Sequence, residues 1–339
     1  MHEVVLRASL GAAAEASWSA GILATALTLA LALALVAIGV RLEQSGWPLR
    51  ARAVLSRKAV AWTTGRSQAR CRLVGAGPGD PALLTLAARR ALAEADVVIV
   101  DQLVPEGIVQ LIRGRVVHSR KVKGCANFAQ NELHEWMIEA LERGEDVVRL
   151  KGGDPFLFGR GGEEVDVVQK HGFAIEVIPG ISSALAAPLS AGLAVTTRGV
   201  ADQLVIATGH GKHDSVPRLP PQFDESRTAV FLMGVSRMEN LVTRLRTRCA
   251  YPASTPVAVI ERATLPNQRV IRGTLEDIAA LSRAAAVISP ATIVIGRTAH
   301  ALPEASYIPG TGAVRYEAES LPTTTKAEAF PGMPAGFLI

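Results

Sequence analysis

Four charged side chains stand where charge is costly, and they frame the chemistry this chain could do. Asp101 and Lys121 each follow a short apolar run, at the place where open parallel sheets put ligand-contacting groups. A carboxylate and an amine so placed can exchange protons with a bound molecule, although a surface ion pair is the plainer reading of either residue. Arg149 interrupts an apolar run and Arg160 lies between glycines, so neither reads as an ordinary solvated charge. A cation in such surroundings calls for an anionic partner, and a guanidinium suits a carboxylate bound through two parallel hydrogen bonds.

The stretch that must position them is Val147 to Glu164, VVRLKGGDPFLFGRGGEE. An apolar strand over 147–150 ends in Lys151-Gly152-Gly153-Asp154-Pro155, where glycines allow a tight turn or close approach of the backbone to a ligand. Pro155 biases Asp154 away from helical space, which holds the loop open and leaves the carboxylate free for a ligand's polar atoms. Gly159-Arg160-Gly161-Gly162 follows, and Glu163-Glu164 opens a helix. Five glycines exceed what a plain strand-to-helix turn requires.

A second glycine loop, VGAGPGDP at 74–81, invites a dinucleotide reading, with Asp101 as the ribose acid. Asp80 in place of the third glycine, and the stiffness of Pro78 and Pro81, count against it. His210 and His213 have no third ligand in view, so no metal is expected. Cys71, Cys125 and Cys249 are widely spaced, which argues against a disulfide framework or a zinc site.

The chain has 339 residues, room for two domains, and only 4% aromatics, so its core must be Ala, Val, Leu and Ile. The net charge of +5 resides in residues 1–70, which hold eight Lys/Arg and three acids. The remainder carries 28 of each sign, so nucleic acid is not an expected partner. Residues 20–40 are 21 positions without a charge, followed over 41–70 by seven basic residues and one acid. That is a membrane anchor with a basic flank, with the body of the chain in the cytoplasm, or a two-part targeting segment leading to a plastid. An upstream sequence mis-joined to the gene is the third reading.

From Cys71 the pattern becomes regular, with strands over 72–74, 97–100, 116–117, 147–150 and 174–178. Helices are expected over 83–95, 105–112, 130–143 and 163–171. This alternation predicts a parallel sheet wrapped by helices, within an α/β domain over 71–185. A second domain, 192–302, has strands over 204–207, 228–233 and 256–260, an antiparallel edge strand at 269–273, and a closing strand at 292–295. Its helices are expected over 237–248 and 275–285. The Pro-rich stretch 303–339 is expected to be a disordered tail.

Taken in order, VGAGPGDP, D101-Q-L-V, RLKGGDPFLFGRGGEE, VIPGISSA, ATGH, FLMG and TPVAVIERAT resemble the tetrapyrrole methylases, most closely their uroporphyrinogen-III C-methyltransferase branch, and the section 200–272 resembles eukaryotic members. The resemblance runs from about 72 to 298. It implies two αβα domains with a cofactor cleft between them, a homodimer, and S-adenosylmethionine as methyl donor. It also implies methylation of uroporphyrinogen III at C-2 and C-7 to precorrin-2, in sirohaem or cobalamin synthesis. Cofactor contacts would fall on Pro78, Gly152, Gly153, Asp154, Leu157, Ser182, Ser183, Met233 and Ala263. Asp101 and Lys121 would handle protons, and Arg149 and Arg160 would face the substrate's carboxylates. A relative with a different substrate, or a non-catalytic one tethered through residues 20–40, is the alternative. Thr196-Thr197-Arg198-Gly199-Val200-Ala201 departs from the bacterial pattern THRDYA, and the loop after Lys121 has Ala126 where a histidine is usual. Both bear on substrate contacts rather than on the type of reaction.

Overall fold

The computed structural model describes residues 69–119, 126–211, 217–218, 220, 222–300 and 305–316. Residues 1–68, and with them the apolar segment 20–40, lie outside the described residues, as does Lys121. Among the described residues no helix is long and apolar enough to cross a membrane.

Five strands, β1 (Cys71–Gly75), β2 (Val97–Val100), β3 (Arg115–His118), β4 (Val147–Lys151) and β5 (Ile175–Ile178), form a sheet in the order β3-β2-β4-β1-β5. Every pairing in it is parallel. β1, β2 and β4 are buried at every residue, as expected where helices cover both faces. Val74, Val98, Val100, Val148 and Leu150 pack on one face with α1 (Leu86–Glu94) and α2 (Glu106–Val109). Cys71, Val97, Ile99 and Val147 pack on the other, against α3 (Ala126–Glu142) and α4 (Gly161–Lys170). The two-residue period of a strand then puts Asp101, Arg149 and Lys151 on the α3/α4 face.

The helix expected from residue 83 begins at Leu86, because the hydroxyl of Thr85 accepts from Ala88 N and caps it. Ahead of it, Pro81–Leu83 is a single 3₁₀ turn capped by Asp80.

A second sheet contains β6 (Gln203–Thr208), β7 (Arg227–Leu232), β8 (Pro256–Glu261), β9 (Arg269–Thr274) and β10 (Ala291–Ile295), in the order β6-β7-β10-β8-β9. Only β6 and β7 run parallel, and β9 is the antiparallel edge expected from sequence. β10, read as closing the sheet, lies at its centre, where its apolar residues pair on both sides. One helix was not foreseen. α5 (Ser183–Ser190) lays Ala184 and Ala187 on Val230, Ala258, Ile260 and Val294 of this sheet. α6 (Met238–Arg248) and α7 (Ile278–Ala284) cover its opposite face.

The stretch from 303, expected to be a disordered tail, contains a hairpin of β11 (Ala305–Ile308) and β12 (Ala313–Tyr316). Gly310 and Gly312, both at positive φ, make its turn. Residues 317–339 lie outside the described residues.

At the ends of β1, β4 and β5 three glycines crowd together. A Cβ on Gly180 would fall 2.2 Å from Gly153 O, and one on Gly75 would fall 2.5 Å from Gly180 N. Backbone is packed on backbone there, and neither Gly75 nor Gly180 can admit a side chain. Gly180→Ala is therefore expected to destabilise the protein by about 1–3 kcal/mol as an overpacking change. Gly162→Ala, in α4 with nothing within 4 Å of the added methyl, should be neutral or stabilising by up to about 1 kcal/mol. Urea denaturation of the two variants measures the contrast.

Candidate active site

The three crowded glycines anchor a corner of loops at the carboxyl ends of the first sheet. Ala76 N donates to Lys151 O at 2.7 Å, and Gly77 and Gly153 bond each other both ways, at 3.2 and 2.8 Å. Pro78, Gly152, Gly153 and Asp154 are brought together by these bonds. The carboxylate of Asp154 is not left free as expected. Its Oδ1 accepts from Phe156 N at 2.9 Å and its Oδ2 from Gly180 N at 3.2 Å. Pro155 turns the chain back so that this short side chain meets both amides, tying the loop to the start of the next one. Ser182 lies beyond Gly180 and caps α5 through its hydroxyl, with Ser183 as the first helical residue.

The second sheet closes on this corner. Asp80 N donates to the Thr264 hydroxyl at 3.2 Å, and a Cβ on Gly79 would meet Leu265 and Thr264. Ala263 is buried beside Thr264 in the core that packs on α5, and Leu157 packs against that same cluster. Met233, at the end of β7, has φ 56° and is 46% exposed, an unusual setting for a large apolar side chain.

The charged residues occupy the α3/α4 face. Glu164 is fully buried, and its Oε1 accepts from Lys151 Nζ at 2.9 Å, Arg149 Nε at 3.2 Å and Gln130 Nε2 at 3.1 Å. Its Oε2 has no hydrogen-bond partner among the described residues. Arg149 also donates to the carbonyls of Ile99 and Leu150, and its Nη2 lies 3.9 Å from Asp101 Oδ1. The anion that Arg149 was expected to find is thus an internal carboxylate. With its side chain 3% exposed and its Nε and Nη1 engaged, Arg149 does not present a fork to a large ligand. Burial, reinforced by the neighbouring Arg149 cation, lowers the Lys151 pKa, and Glu164 opposes the shift.

Glu164 was not singled out from the sequence as the partner of these cations. The available signal was its spacing to Val168, one turn apart on the buried face of α4. Asp101 lies at the end of β2, and its Oδ1 accepts from Gln102 N at 3.1 Å and lies 3.5 Å from the Ser119 hydroxyl. Arg160 is at the surface in the left-handed region, φ 58°, and pairs through Nε and Nη2 with Glu163. That hydrogen bond raises its pKa. Burial pushes the Cys71 thiol up to about 12, which leaves it inert as a nucleophile. Among the described residues no group of His, Cys, Asp and Glu is arranged to hold a metal ion.

The corner therefore offers open backbone at glycines, an apolar flank, and a carboxylate still reached by solvent beside a buried charge cluster. Such a site can position a flat or flexible organic ligand and accept a proton from it. A model of the tetrapyrrole (corrin/porphyrin) methylases matches residues 70–279. The chain is 47% identical over 232 residues to a probable uroporphyrinogen-III C-methyltransferase of Schizosaccharomyces pombe, covering 68% of this chain and 46% of that one. It is 43% identical over 236 residues to the uroporphyrinogen-III C-methyltransferase of Methanocaldococcus jannaschii, covering 68% and 96%. A chloroplastic S-adenosyl-L-methionine-dependent uroporphyrinogen III methyltransferase of Arabidopsis thaliana is 38% identical over 236 residues, 68% of this chain and 64% of that one. The chain thus spans about half the length of the fission yeast relative and nearly all of the archaeal one. Among solved structures, uroporphyrin-III C-methyltransferase from Thermus thermophilus complexed with S-adenyl homocysteine matches with a TM-score of 0.58 at 38% identity, covering 68% of this chain and 98% of that one.

Glu164→Gln leaves Arg149 and Lys151 buried without their anion. The expected loss of stability is about 3–5 kcal/mol, as for other broken buried ion pairs. Arg160→Ala, which removes a largely exposed pair, should cost no more than about 1 kcal/mol. Chemical denaturation at neutral pH checks both.

Proposed function

The chain belongs to the tetrapyrrole methylase family, and we propose that it methylates uroporphyrinogen III at C-2 and C-7 to give precorrin-2, with S-adenosylmethionine as donor, in sirohaem synthesis. The observation that carries this reading is the glycine corner, which combines two kinds of glycine. Gly75 and Gly180 are packed shut, whereas a Cβ on Gly152 would meet only Leu103 at 3.8 Å and one on Gly153 only Ser182 at 3.9 Å. The backbone of the last two is open to a ligand, which fits the cofactor.

Pro78, Gly152, Gly153, Asp154, Leu157, Ser182, Ser183, Met233 and Ala263 would hold the cofactor, which when bound supplies an electrophilic sulfonium methyl. The protein's part is to hold a nucleophilic pyrrole carbon in line with that methyl. Methylation of a fully substituted ring carbon leaves the ring with an extra positive charge until a proton leaves it elsewhere, and Asp101 accepts that proton, with Lys121 as the second proton-handling group. Glu164 and Arg149 keep the floor beneath Asp101 fixed. Arg160 meets a substrate carboxylate by exchanging it for Glu163, a surface partner that is cheap to release.

Val177, Ile181, Leu185 and Leu189 are exposed apolar side chains along edge strand β5 and helix α5. They supply a contact surface for a homodimer, and light scattering in solution checks the mass. For residues 1–70 the proposal is delivery to a plastid, supported by the chloroplastic relative. A reporter fused to that segment and found outside plastids rejects it.

Anaerobic incubation of the chain with uroporphyrinogen III and methyl-labelled S-adenosylmethionine should place two labels per tetrapyrrole, both on carbon. Asp101→Asn should lower kcat by about 10²- to 10⁴-fold while S-adenosylhomocysteine binds unchanged. Arg160→Lys should raise KM for the tetrapyrrole alone. Label on nitrogen or carboxylate, or no transfer at all, refutes the assignment.

A further inference from the structure

The hairpin 305–316 lies beyond the residues matched by the family model, 70–279, yet it reaches into the cofactor corner. Asp80, 2% exposed, closes the glycine loop that carries Pro78. Its Oδ1 accepts from Ala82 N at 2.8 Å. Its Oδ2 accepts from the Tyr307 hydroxyl and from Gly310 N, each at 2.7 Å. Both donors to that second oxygen come from the hairpin. A buried carboxylate oxygen deprived of them would have to find water or move.

The hairpin is itself firmly seated. A Cβ on Gly192, just after α5, would fall 2.5 Å from the Ala305 methyl, and one on Gly312 would fall 2.9 Å from Leu83. Asp80 also donates through its backbone to Thr264, and Gln268 bonds both Thr264 N and Ser190 O. One carboxylate therefore joins the first sheet's glycine loop, the loop after β8 and the C-terminal hairpin.

We propose that Tyr307 is a positioning residue for the adenosyl cofactor, acting through Asp80 to fix the Gly77–Asp80 loop in its binding form. The inference rests on the cofactor reading above and adds to it a segment that sequence reasoning had discarded. Tyr307 does not touch the reacting atoms, so its loss should act on cofactor binding and leave the methyl-transfer step alone.

The test is Tyr307→Phe in the full chain, titrated calorimetrically with S-adenosylhomocysteine. Affinity should weaken by about tenfold, the consequence of removing one hydrogen bond to a charged acceptor. KM for S-adenosylmethionine should rise in step, with kcat and KM for the tetrapyrrole unchanged. A lower melting temperature with unchanged affinity overturns the proposal, since it shows a role in stability alone. Hydrogen exchange on the unaltered chain decides the matter even if the variant does not fold. Saturating S-adenosylhomocysteine should slow exchange of the Gly310 amide together with those of the 77–80 loop. Protection of the loop without Gly310 means that hairpin and loop are uncoupled, and the proposal fails. An unaltered chain that binds no S-adenosylhomocysteine refutes the cofactor reading itself and this inference with it.

Discussion

Backbone packed directly on backbone at Gly75, Gly153 and Gly180 is the constraint on which the rest of the molecule depends. The three residues lie at the end of β1 and just beyond β4 and β5, and their contact leaves room for no Cβ on two of them. It draws three loops into one corner, so the groups those loops carry are placed by the main chain rather than by flexible side chains. Asp154 then has two amides within reach, and Ser182 falls where it can cap α5. Because α5 packs on the second sheet, the same contact also fixes how the chain passes from one sheet to the other.

Below the corner lies a different kind of order. Two cations and one carboxylate are buried together, with Asp101 at the margin. Removing three charges from water is expensive, and their mutual attraction offsets that cost only when they are paired and hydrogen-bonded. The arrangement is therefore better understood as holding Asp101's surroundings in one geometry than as a source of net stability. The lowered pKa of Lys151 fits this view, since burial there works against its charge. Between that lowered value and the ordinary lysine value the unfolded chain binds more protons than the folded one, so for this group stability rises with pH across that interval.

Much of this was legible in the sequence. The parallel sheet followed from alternating apolar runs and helical periods, and the glycine loop from five glycines around Arg160. The antiparallel edge at β9 was also readable. The failures have physical causes. α5 is Ser-Ala-Leu-Ala-Ala-Pro-Leu-Ser, too uniform and too short to show a period, and its helix is set by the Ser182 cap and the sheet beneath it. β10 ran last in its domain, and nothing local says that a last strand will be central. Arg149 was correctly read as needing an anion, but a pattern along one strand cannot show that the anion comes from the next helix. The hairpin was hidden by the prolines around it, since Tyr307 acquires its partner only through Asp80, more than two hundred positions away.

The charge cluster also limits how this chain can change over time. Arg149, Lys151 and Glu164 belong to one strand and the helix that follows it, and replacing Glu164 alone strands two buried cations, whereas losing one cation leaves the other paired with Glu164. A tolerated route must therefore lose Glu164 together with its cations, or pass through a compensating replacement within the same short stretch. Neighbouring positions on the exposed side of α4 carry no such tie. In a set of diverged descendants Glu164 should therefore alter only together with its cations, so that one shared carboxylate slows the drift of the whole stretch.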